Sequence, residues 1–544
     1  MKLSYAEARR RKSTNKHARW KDIAGALDSE LWPRVQGSFR IRPGETVFTI
    51  GSCFARNIEA NLEALGCRVP MLDFHLPPHE YDGAPHAAMN RFHPPAFRQC
   101  LEWTAAVHDR DGIVTWADCE PLAFDFGGGR WFDLDMATAL AVPQDRFIER
   151  RQHIHDVFSR AFDAEVMMMT PGLIEAWRDL ETGLYMYGAP HQRQMLETPG
   201  RWEFEVLSYA RCLEDLVATI DVVRARNPAV NILVTTSPVP LSVTFSGRDI
   251  AIANTRSKAV LRAVCEEVVS LRERVDYFPS YEIVTLSNPA LVWKTDRLHV
   301  APGFVGKIVS YMLDHYLEGV EAAAKDYQVA RTCFAAGEFE KAEKAARAAL
   351  RANPSHLEAR ALLGLAVARQ HRWAEAKEAL SPIADADPDR CDVRVGLAHA
   401  LAGEGLADDA VELFVTTMAL ASFTLDDFRA ADDLLASLPP DVAARLGERA
   451  TQLFPLNAQA YPPLVEALVR GGRRPEAIDA LRRATALSTP GPKLLLQLAR
   501  LLAKQGETAE ALEKTEDALA ADPNNKLAAG MKAKLMQELE IART

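Results

Sequence analysis

The chain has 544 residues, more than one hydrophobic core usually serves, so two or more domains are expected. Hydrophobic residues make up 48% of the sequence and charged residues 25%, which excludes a largely disordered chain. The formal net charge is −10, from 64 basic and 74 acidic residues, and an acidic chain repels phosphate backbones, so no nucleic-acid partner is expected.

The sequence carries no pattern typical of secreted or membrane-spanning proteins. No apolar run of roughly 7–15 residues follows Met1, and no stretch approaches the roughly 20 apolar residues that span a bilayer. The eight cysteines are scattered without a C-x-x-C pair, so neither a disulfide framework nor a zinc ribbon is indicated. We therefore expect a cytoplasmic protein without a membrane span.

Residues 1–39 are predicted to form a basic N-terminal arm. Its cationic cluster consists of Arg9, Arg10, Arg11, Lys12, Lys16 and Arg19. Because Glu7 and Asp22 interrupt the cluster, a frayed or surface-lying arm fits better than a targeting presequence.

Residues 40–318 are predicted to form an α/β domain with a three-layer architecture, in which helices cover both faces of a parallel sheet. Short apolar, β-branched runs alternate there with longer helical patterns. The candidate strands are Thr46–Ile50, Arg68–Leu72, Glu165–Thr170, Val230–Thr236 and Val275–Phe278. The candidate helices are Arg56–Leu65, Gln144–Phe162, Trp202–Ala225 and Arg256–Glu273. Sites in such sheets lie at the carboxyl ends of the strands, so functional residues are expected just after these runs.

Short motifs do follow the candidate strands. They are Gly51-Ser52-Cys53-Phe54-Ala55, Thr-x-Gly-Leu-x-Glu-x-Trp at 170–177, Ser-Pro-Val at 237–239, Ser257-Lys258, and Asp296-x-x-His299. Together they resemble the GSCFA family, named for the pentapeptide at 51–55, over about residues 40–315. That family is similar in turn to the SGNH, or GDSL-like, hydrolases. The resemblance implies an SGNH-type fold and an acyl-ester hydrolase or acyltransferase, with an O-acylated sugar or polysaccharide as the implied glycan substrate.

The pentapeptide offers two candidate nucleophiles. Laying Gly51-Ser52-Cys53 on the Gly-Asp-Ser of the SGNH enzymes puts Cys53 in the nucleophile position and Ser52 in place of the aspartate. A thiol at a helix N-terminus is stabilised as thiolate by the helix dipole, which favours Cys53. The SGNH enzymes use serine, so Ser52 remains a candidate. A purely structural turn of small residues is the third alternative.

The late Asp-x-x-His motif supplies the candidate base. By the resemblance, His299 accepts the proton of the nucleophile and Asp296 orients His299. An Asp-x-x-His pair at a helix entrance is also common on protein surfaces. A non-catalytic adaptor, in which the α/β domain is an inactive hydrolase fold, is therefore the alternative function.

The oxyanion hole is predicted from fewer residues. Backbone N–H groups at Cys53 and Gly172 are candidate donors, and Glu175 is a candidate pocket residue. The SGNH enzymes carry an asparagine after the third strand, where this sequence has Ile174, which has no side-chain donor. Asn90 is the candidate substitute.

No metal or cofactor is predicted for this domain. His75, His79, His86 and His93 share one proline-rich stretch, but their spacing matches no helix-borne or ribbon metal site. The glycine run at 127–129 lacks the Gly-Lys-Ser/Thr of a phosphate loop and is predicted to be a turn.

Residues 323–544 are predicted to be an array of helical repeats. A small residue recurs at steps of 33 or 34 residues, at Ala342, Ala376, Ala410, Ala444, Ala477 and Ala511. Glycine lies five residues before four of these alanines, and proline closes many units. The pattern resembles the tetratricopeptide (TPR) repeat over roughly residues 323–525, with a capping helix at Lys526–Glu540. That resemblance implies a protein or peptide partner in a concave groove.

Overall fold

The computed structural model describes residues 2–77, 80–81, 88–136, 139–190, 193–294, 296–318, 322–420, 422–455, 457–487, 492–522 and 525–543. The chain divides into two compact units, residues 1–76 with 84–354 and residues 77–83 with 355–544. Within the described residues, no helix is both long enough and apolar enough to cross a bilayer.

The first unit contains three sheets. Its strands are β1 (Val47–Gly51), β2 (Ala123–Gly127), β3 (Arg130–Asp133), β4 (Val142–Pro143), β5 (Val166–Thr170), β6 (Glu175–Asp179), β7 (Tyr185–Met186), β8 (Trp202–Val206), β9 (Asn231–Val234) and β10 (Val275–Tyr277). The central sheet is parallel, in the order β1-β5-β9-β10. The two smaller sheets, β2-β3-β4 and β7-β6-β8, are antiparallel.

Helices surround these sheets. They are α1 (Tyr5–Thr14), α2 (Ala24–Leu27), α3 (Cys53–Glu63), α4 (Pro94–Arg110), α5 (Trp116–Cys119), α6 (Gln144–Phe158), α7 (Arg193–Leu196), α8 (Tyr209–Arg224), α9 (Ile250–Leu271), α10 (Ser280–Leu286), α11 (Pro289–Val292) and α12 (Pro302–Tyr316). Helix α1, in the basic arm, buries none of its residues.

The central sheet is covered on both faces, as the sequence predicts. On one face, Val166 of β5 shares a core with Ile58 of α3 and Phe304 of α12. On the other face, Phe48 of β1 packs edge-on against Phe158 of α6, with ring centroids 5.5 Å apart. The continuous burial of β1 and β5 follows from this double cover.

Two predicted elements of this unit are wrong. The candidate strand Arg68–Leu72 pairs only at Arg68, which bridges Thr46, and then turns into a 3₁₀ helix at Pro70–Asp73, because proline cannot donate to a ladder. The candidate helix Trp202–Ala225 begins with a strand, β8. Its Trp-Glu-Phe-Glu-Val alternation has the period of a strand, and Ser208 starts α8 by accepting the Arg211 N–H.

The remaining helices form the predicted repeat array. They are α13 (Ala322–Ala335), α14 (Phe339–Ala352), α15 (Leu357–Ala368), α16 (Trp373–Ala386), α17 (Cys391–Gly403), α18 (Ala407–Thr417), α19 (Leu425–Ala430), α20 (Asp432–Ser437), α21 (Pro440–Leu453), α22 (Tyr461–Arg470), α23 (Arg474–Leu487), α24 (Pro492–Gln505), α25 (Thr508–Ala521) and α26 (Lys526–Arg543). The helix α26 occupies the position predicted for the capping helix.

The sequence markers of the repeat have the structural roles expected of them. All the marker alanines are buried, none with more than 4% of its surface exposed. The turn glycines have left-handed φ angles between 74° and 88°, at Gly337, Gly405, Gly472 and Gly506. In the fourth unit, where Pro439 replaces the glycine, the first helix is broken into α19 and α20.

The first repeat belongs to the compact unit that contains the sheets. Helices α13 and α14 lie before Pro354, where that unit ends, and α13 packs on α12. The boundary between the two compact units therefore lies one repeat later in the chain than the boundary at 318–323 predicted from the sequence.

Candidate functional site

A cavity of about 470 Å³ lies at the carboxyl ends of the central strands. Its polar floor, as we call these four residues, consists of Ser52, His93, Gly172 and Ser237, and His299 lines the cavity at its rim. Ser52 follows β1, Gly172 follows β5 and Ser237 follows β9. The motifs that the sequence analysis found after separate strands therefore meet at one place, as expected for a parallel sheet.

The turn between β1 and α3 is tightly packed. Gly51 pairs with Thr170 of β5, and a Cβ at Gly51 would overlap the Thr170 side chain. The Ser52 hydroxyl accepts the Phe54 N–H at 3.3 Å and donates to Ser237 Oγ at 3.0 Å. Ser52 thus caps the first turn of α3. Cys53 is the first residue of that helix, but its side chain lies outside the described residues.

Substitution of Gly51 tests this packing. We expect Gly51→Ala to lower the free energy of unfolding by about 1–3 kcal/mol, because the added methyl group must displace Thr170. Gly200→Ala is the matched control, since a Cβ there would meet no described atom within 4 Å. Urea denaturation of the two variants measures the difference. Equal stability of both variants would contradict the packing described for the turn.

The Asp296–His299 pair forms at the rim of the cavity. Asp296 Oδ2 lies 2.8 Å from His299 Nδ1, and Asp296 Oδ1 accepts the N–H groups of Leu298 and His299 at 2.9 and 3.0 Å. The hydrogen bonds from His299 and Leu298 hold the pKa of Asp296 well below its usual range. An ionised Asp296 fixes the proton of His299 on Nδ1 and leaves Nε2 able to accept a proton.

Among the described residues, Ser52 bonds to partners other than His299. Both residues line the cavity, but the hydroxyl of Ser52 is bonded to Ser237 and to the backbone of Phe54. Ser52 and His299 therefore share one pocket, with the Ser52 hydroxyl bonded to other partners. Contacts between a nucleophile and its base often tighten only when substrate binds.

The Gly172 N–H is not a free oxyanion donor. It donates to the Phe92 carbonyl at 2.8 Å, and the Leu173 N–H donates to the same oxygen at 3.0 Å. The sequence predicts this N–H as a donor because it follows β5, but the loop before α4 lies against it. Gly172 instead lines the floor and accepts a hydrogen bond from the fully buried Lys258 Nζ at 2.7 Å through its carbonyl.

Asn90 lies beside the site rather than in it. It is 4% exposed and does not line the cavity, and its Oδ1 accepts no hydrogen bond from the described residues. The next residue along, Arg91, donates its backbone N–H to the Gly51 carbonyl at 2.9 Å. The role of Asn90 as an oxyanion donor remains a prediction.

Glu175 contacts a loop rather than the polar floor. It lines the cavity as the sequence analysis expects, and its two carboxylate oxygens accept the Thr244 hydroxyl at 2.6 Å and the Phe245 N–H at 3.2 Å. This pairing holds the segment after β9 against β6. Trp177, two residues along β6, also lines the cavity.

Of the four histidines in the proline-rich stretch, His79 and His86 lie outside the described residues. His75 is exposed, whereas His93 lies in the floor of the cavity, and burial lowers the pKa of His93 to about 4. Its Nδ1 accepts the Ala96 N–H at 3.2 Å and so caps α4. Across the part of the chain that the structure describes, no three His, Cys, Asp or Glu side chains are grouped as metal ligands. Sequence reasoning singled out His93 only for its spacing and missed its place in the pocket.

Three family models match the chain. Residues 46–312 match the GSCFA family, and residues 333–391 and 463–526 match two tetratricopeptide-repeat families. No curated protein matches the chain.

Solved repeat proteins also show similarity. A thermophilic TPR protein of Thermus thermophilus is 20% identical over 40% of this chain and 100% of that chain, with a TM-score of 0.23. For pilF of Pseudomonas aeruginosa the identity is 18%, over 40% of this chain and 85% of that chain, with a TM-score of 0.26. For MamA of AMB-1 the identity is 26%, over 29% of this chain and 95% of that chain, with a TM-score of 0.23.

Proposed function

Residues 46–312 form a GSCFA-family domain with a hydrolase-like fold, and we propose that this domain is an acyl-ester hydrolase or acyltransferase. The observation that carries the proposal is the Asp296–His299 pair at the rim of a pocket whose floor includes the turn between β1 and α3. The ester is proposed to be an O-acyl group of a sugar or polysaccharide, by analogy with the family resemblance alone.

We propose Cys53 as the nucleophile. The Ser52 hydroxyl already donates one hydrogen bond and accepts another, which suits a helix cap. Cys53 occupies the first position of α3, where the helix dipole stabilises a thiolate. Ser52 is the rival nucleophile, and selective labelling separates the two.

The proposed reaction has two steps. The Cys53 thiolate attacks the ester carbonyl carbon, the bond from that carbon to the alkoxy oxygen breaks, and protonated His299 gives its proton to the leaving alcohol. Water or an acceptor hydroxyl then loses its proton to His299 and attacks the thioester. The acyl group leaves as an acid or as a new ester, and the Cys53 thiolate and the protonated His299 are restored.

Selective alkylation tests the nucleophile. Every other cysteine has a pKa raised by burial. The raised pKa values reach about 11 for Cys67 and about 12 for Cys100, Cys119, Cys212 and Cys265, and the pKa values of Cys333 and Cys391 are also raised. We therefore expect iodoacetamide near pH 6 to modify Cys53 first, as read by peptide mass spectrometry.

Ser52→Ala is the control, because it removes the neighbouring hydroxyl and should leave this selectivity in place. Labelling of Ser52 by a fluorophosphonate, with an unreactive Cys53, would move the nucleophile back by one residue. Neither label at either position would favour the adaptor alternative.

We further propose that the repeats bind a protein or peptide partner. The regular helix pairs of the second unit and the two matching repeat families support this part of the proposal. Binding of this partner would bring the α/β domain to its substrate. In the adaptor alternative, this binding would be the main function of the chain.

A further inference from the structure

One side of the cavity is made of aromatic rings. We call Trp177, Phe204 and Phe245 the aromatic wall. Their ring centroids lie 5.4 Å apart for Trp177 and Phe204, 5.2 Å for Trp177 and Phe245, and 5.9 Å for Phe204 and Phe245. Leu241 and Val243 line the cavity beside them. The wall therefore offers a continuous apolar surface within the pocket that holds His299.

The aromatic wall is held in place before any ligand binds. Trp177 and Phe204 are direct cross-strand partners in the β6–β8 ladder. Phe245 reaches them from the loop after β9, because Glu175 accepts the backbone N–H of Phe245 and the hydroxyl of Thr244. A preorganised apolar surface loses little entropy when a ligand covers it.

The wall suits an acyl chain better than a sugar ring. A sugar subsite pairs an aromatic platform with polar groups that reach the hydroxyls, but the carboxylate that lines this cavity, Glu175, already accepts two hydrogen bonds from the loop. Phe245 is 49% exposed, which leaves apolar surface open for a ligand to cover. The volume of about 470 Å³ lies within the range of roughly 300–1,000 Å³ found for small-molecule pockets.

We infer that the aromatic wall binds the acyl group of the substrate, and that this group is an apolar chain longer than acetyl, with hexanoyl as the reference length. The inference rests on the proposed acyl-transfer function. The alcohol side of the ester would then lie toward His299 and the open rim, where the leaving oxygen meets the proton donor.

The first test is a chain-length series with the full-length protein. For p-nitrophenyl esters we expect kcat/KM to rise about fourfold for each methylene from acetyl to hexanoyl, the factor for burying one methylene. Phe245→Ala should reduce the ratio of hexanoyl to acetyl kcat/KM about tenfold. Leu271 is the last residue of α9 and is about as exposed as Phe245. Leu271→Ala should leave the ratio unchanged. A preference for acetyl in the wild type would overturn the inference and leave the acyl-transfer proposal standing.

The second test does not need catalysis. We expect sodium hexanoate to bind the full-length protein at least about tenfold more tightly than sodium acetate in isothermal titration calorimetry, and Phe245→Ala to remove most of that difference. Equal binding of the two anions, or tighter binding of glucose through Trp177 and Phe245, would overturn the inference. Hexanoate binding without turnover of any ester would keep the apolar subsite and reject the proposed reaction.

Discussion

Replacing His299 by alanine is expected to lower kcat for ester hydrolysis by about 10³-fold or more, the largest effect we predict for a single substitution. His299 has Asp296 on Nδ1 at 2.8 Å and lines the pocket, so it is placed to exchange a proton with a substrate held there. Cys53→Ala should cost about as much. The double variant should be no worse than either single variant, since the two groups act in one step. Hydrolysis of p-nitrophenyl hexanoate measures all three.

Two further variants test whether the loss of activity is specific to the imidazole of His299. His17→Ala, in the exposed basic arm, should retain full activity and controls for the loss of an imidazole. Asp296→Asn should also lower kcat, because the amide can no longer hold the proton of His299 on Nδ1 as a carboxylate does. Full activity of His299→Ala, or a loss of the same size in His17→Ala, would reject His299 as the base.

The location of the pocket could be predicted from the sequence because it depends on short-range patterns. Each floor residue after β1, β5 and β9 follows an apolar run, and the carboxyl ends of parallel strands meet at one edge. The repeat array could be predicted for a similar reason, since a buried alanine such as Ala342 recurs at a fixed interval and a left-handed glycine turn precedes it.

The details that depend on contacts between distant residues could not be predicted. The sequence indicates the Gly172 N–H as an oxyanion donor, but the carbonyl of Phe92, from a distant loop, accepts it. Nothing in the sequence points to Phe245, because its place against Trp177 depends on the hydrogen bonds that its loop makes to Glu175. Local patterns indicate strands and helices, whereas such pairings depend on how loops from separate elements pack.

A buried cluster of charges supports the loop that carries Phe92 and His93. Arg151 of α6 donates two hydrogen bonds to the carboxylate of Asp133 in β3, one of them from Nε to Oδ2 at 2.7 Å. Its Nη1 also donates to Asp135 Oδ2 at 3.2 Å. Arg91, just before the pocket residues, contacts Asp135 at 2.7 Å. All four side chains are at most 3% exposed. Burial alone lowers the pKa of Arg151, but the charges of Asp133 and Asp135 outweigh it and raise that pKa.

Arg151→Met is therefore expected to lower the free energy of unfolding of the first unit by about 3–5 kcal/mol, because it leaves Asp133 and Asp135 buried with less positive charge beside them. Arg160→Met is the matched control. Its partner is Asp163, both side chains are more than 60% exposed, and its loss should cost less than about 1 kcal/mol.

Adding Asp133→Leu to Arg151→Met should recover part of the loss, since the unpaired charge is then removed. Urea denaturation of the full chain, followed by the fluorescence of Trp103, Trp177 and the other tryptophans, gives these differences. Equal losses for Arg151→Met and Arg160→Met would show that the cluster does not stabilise the pocket loop in this way.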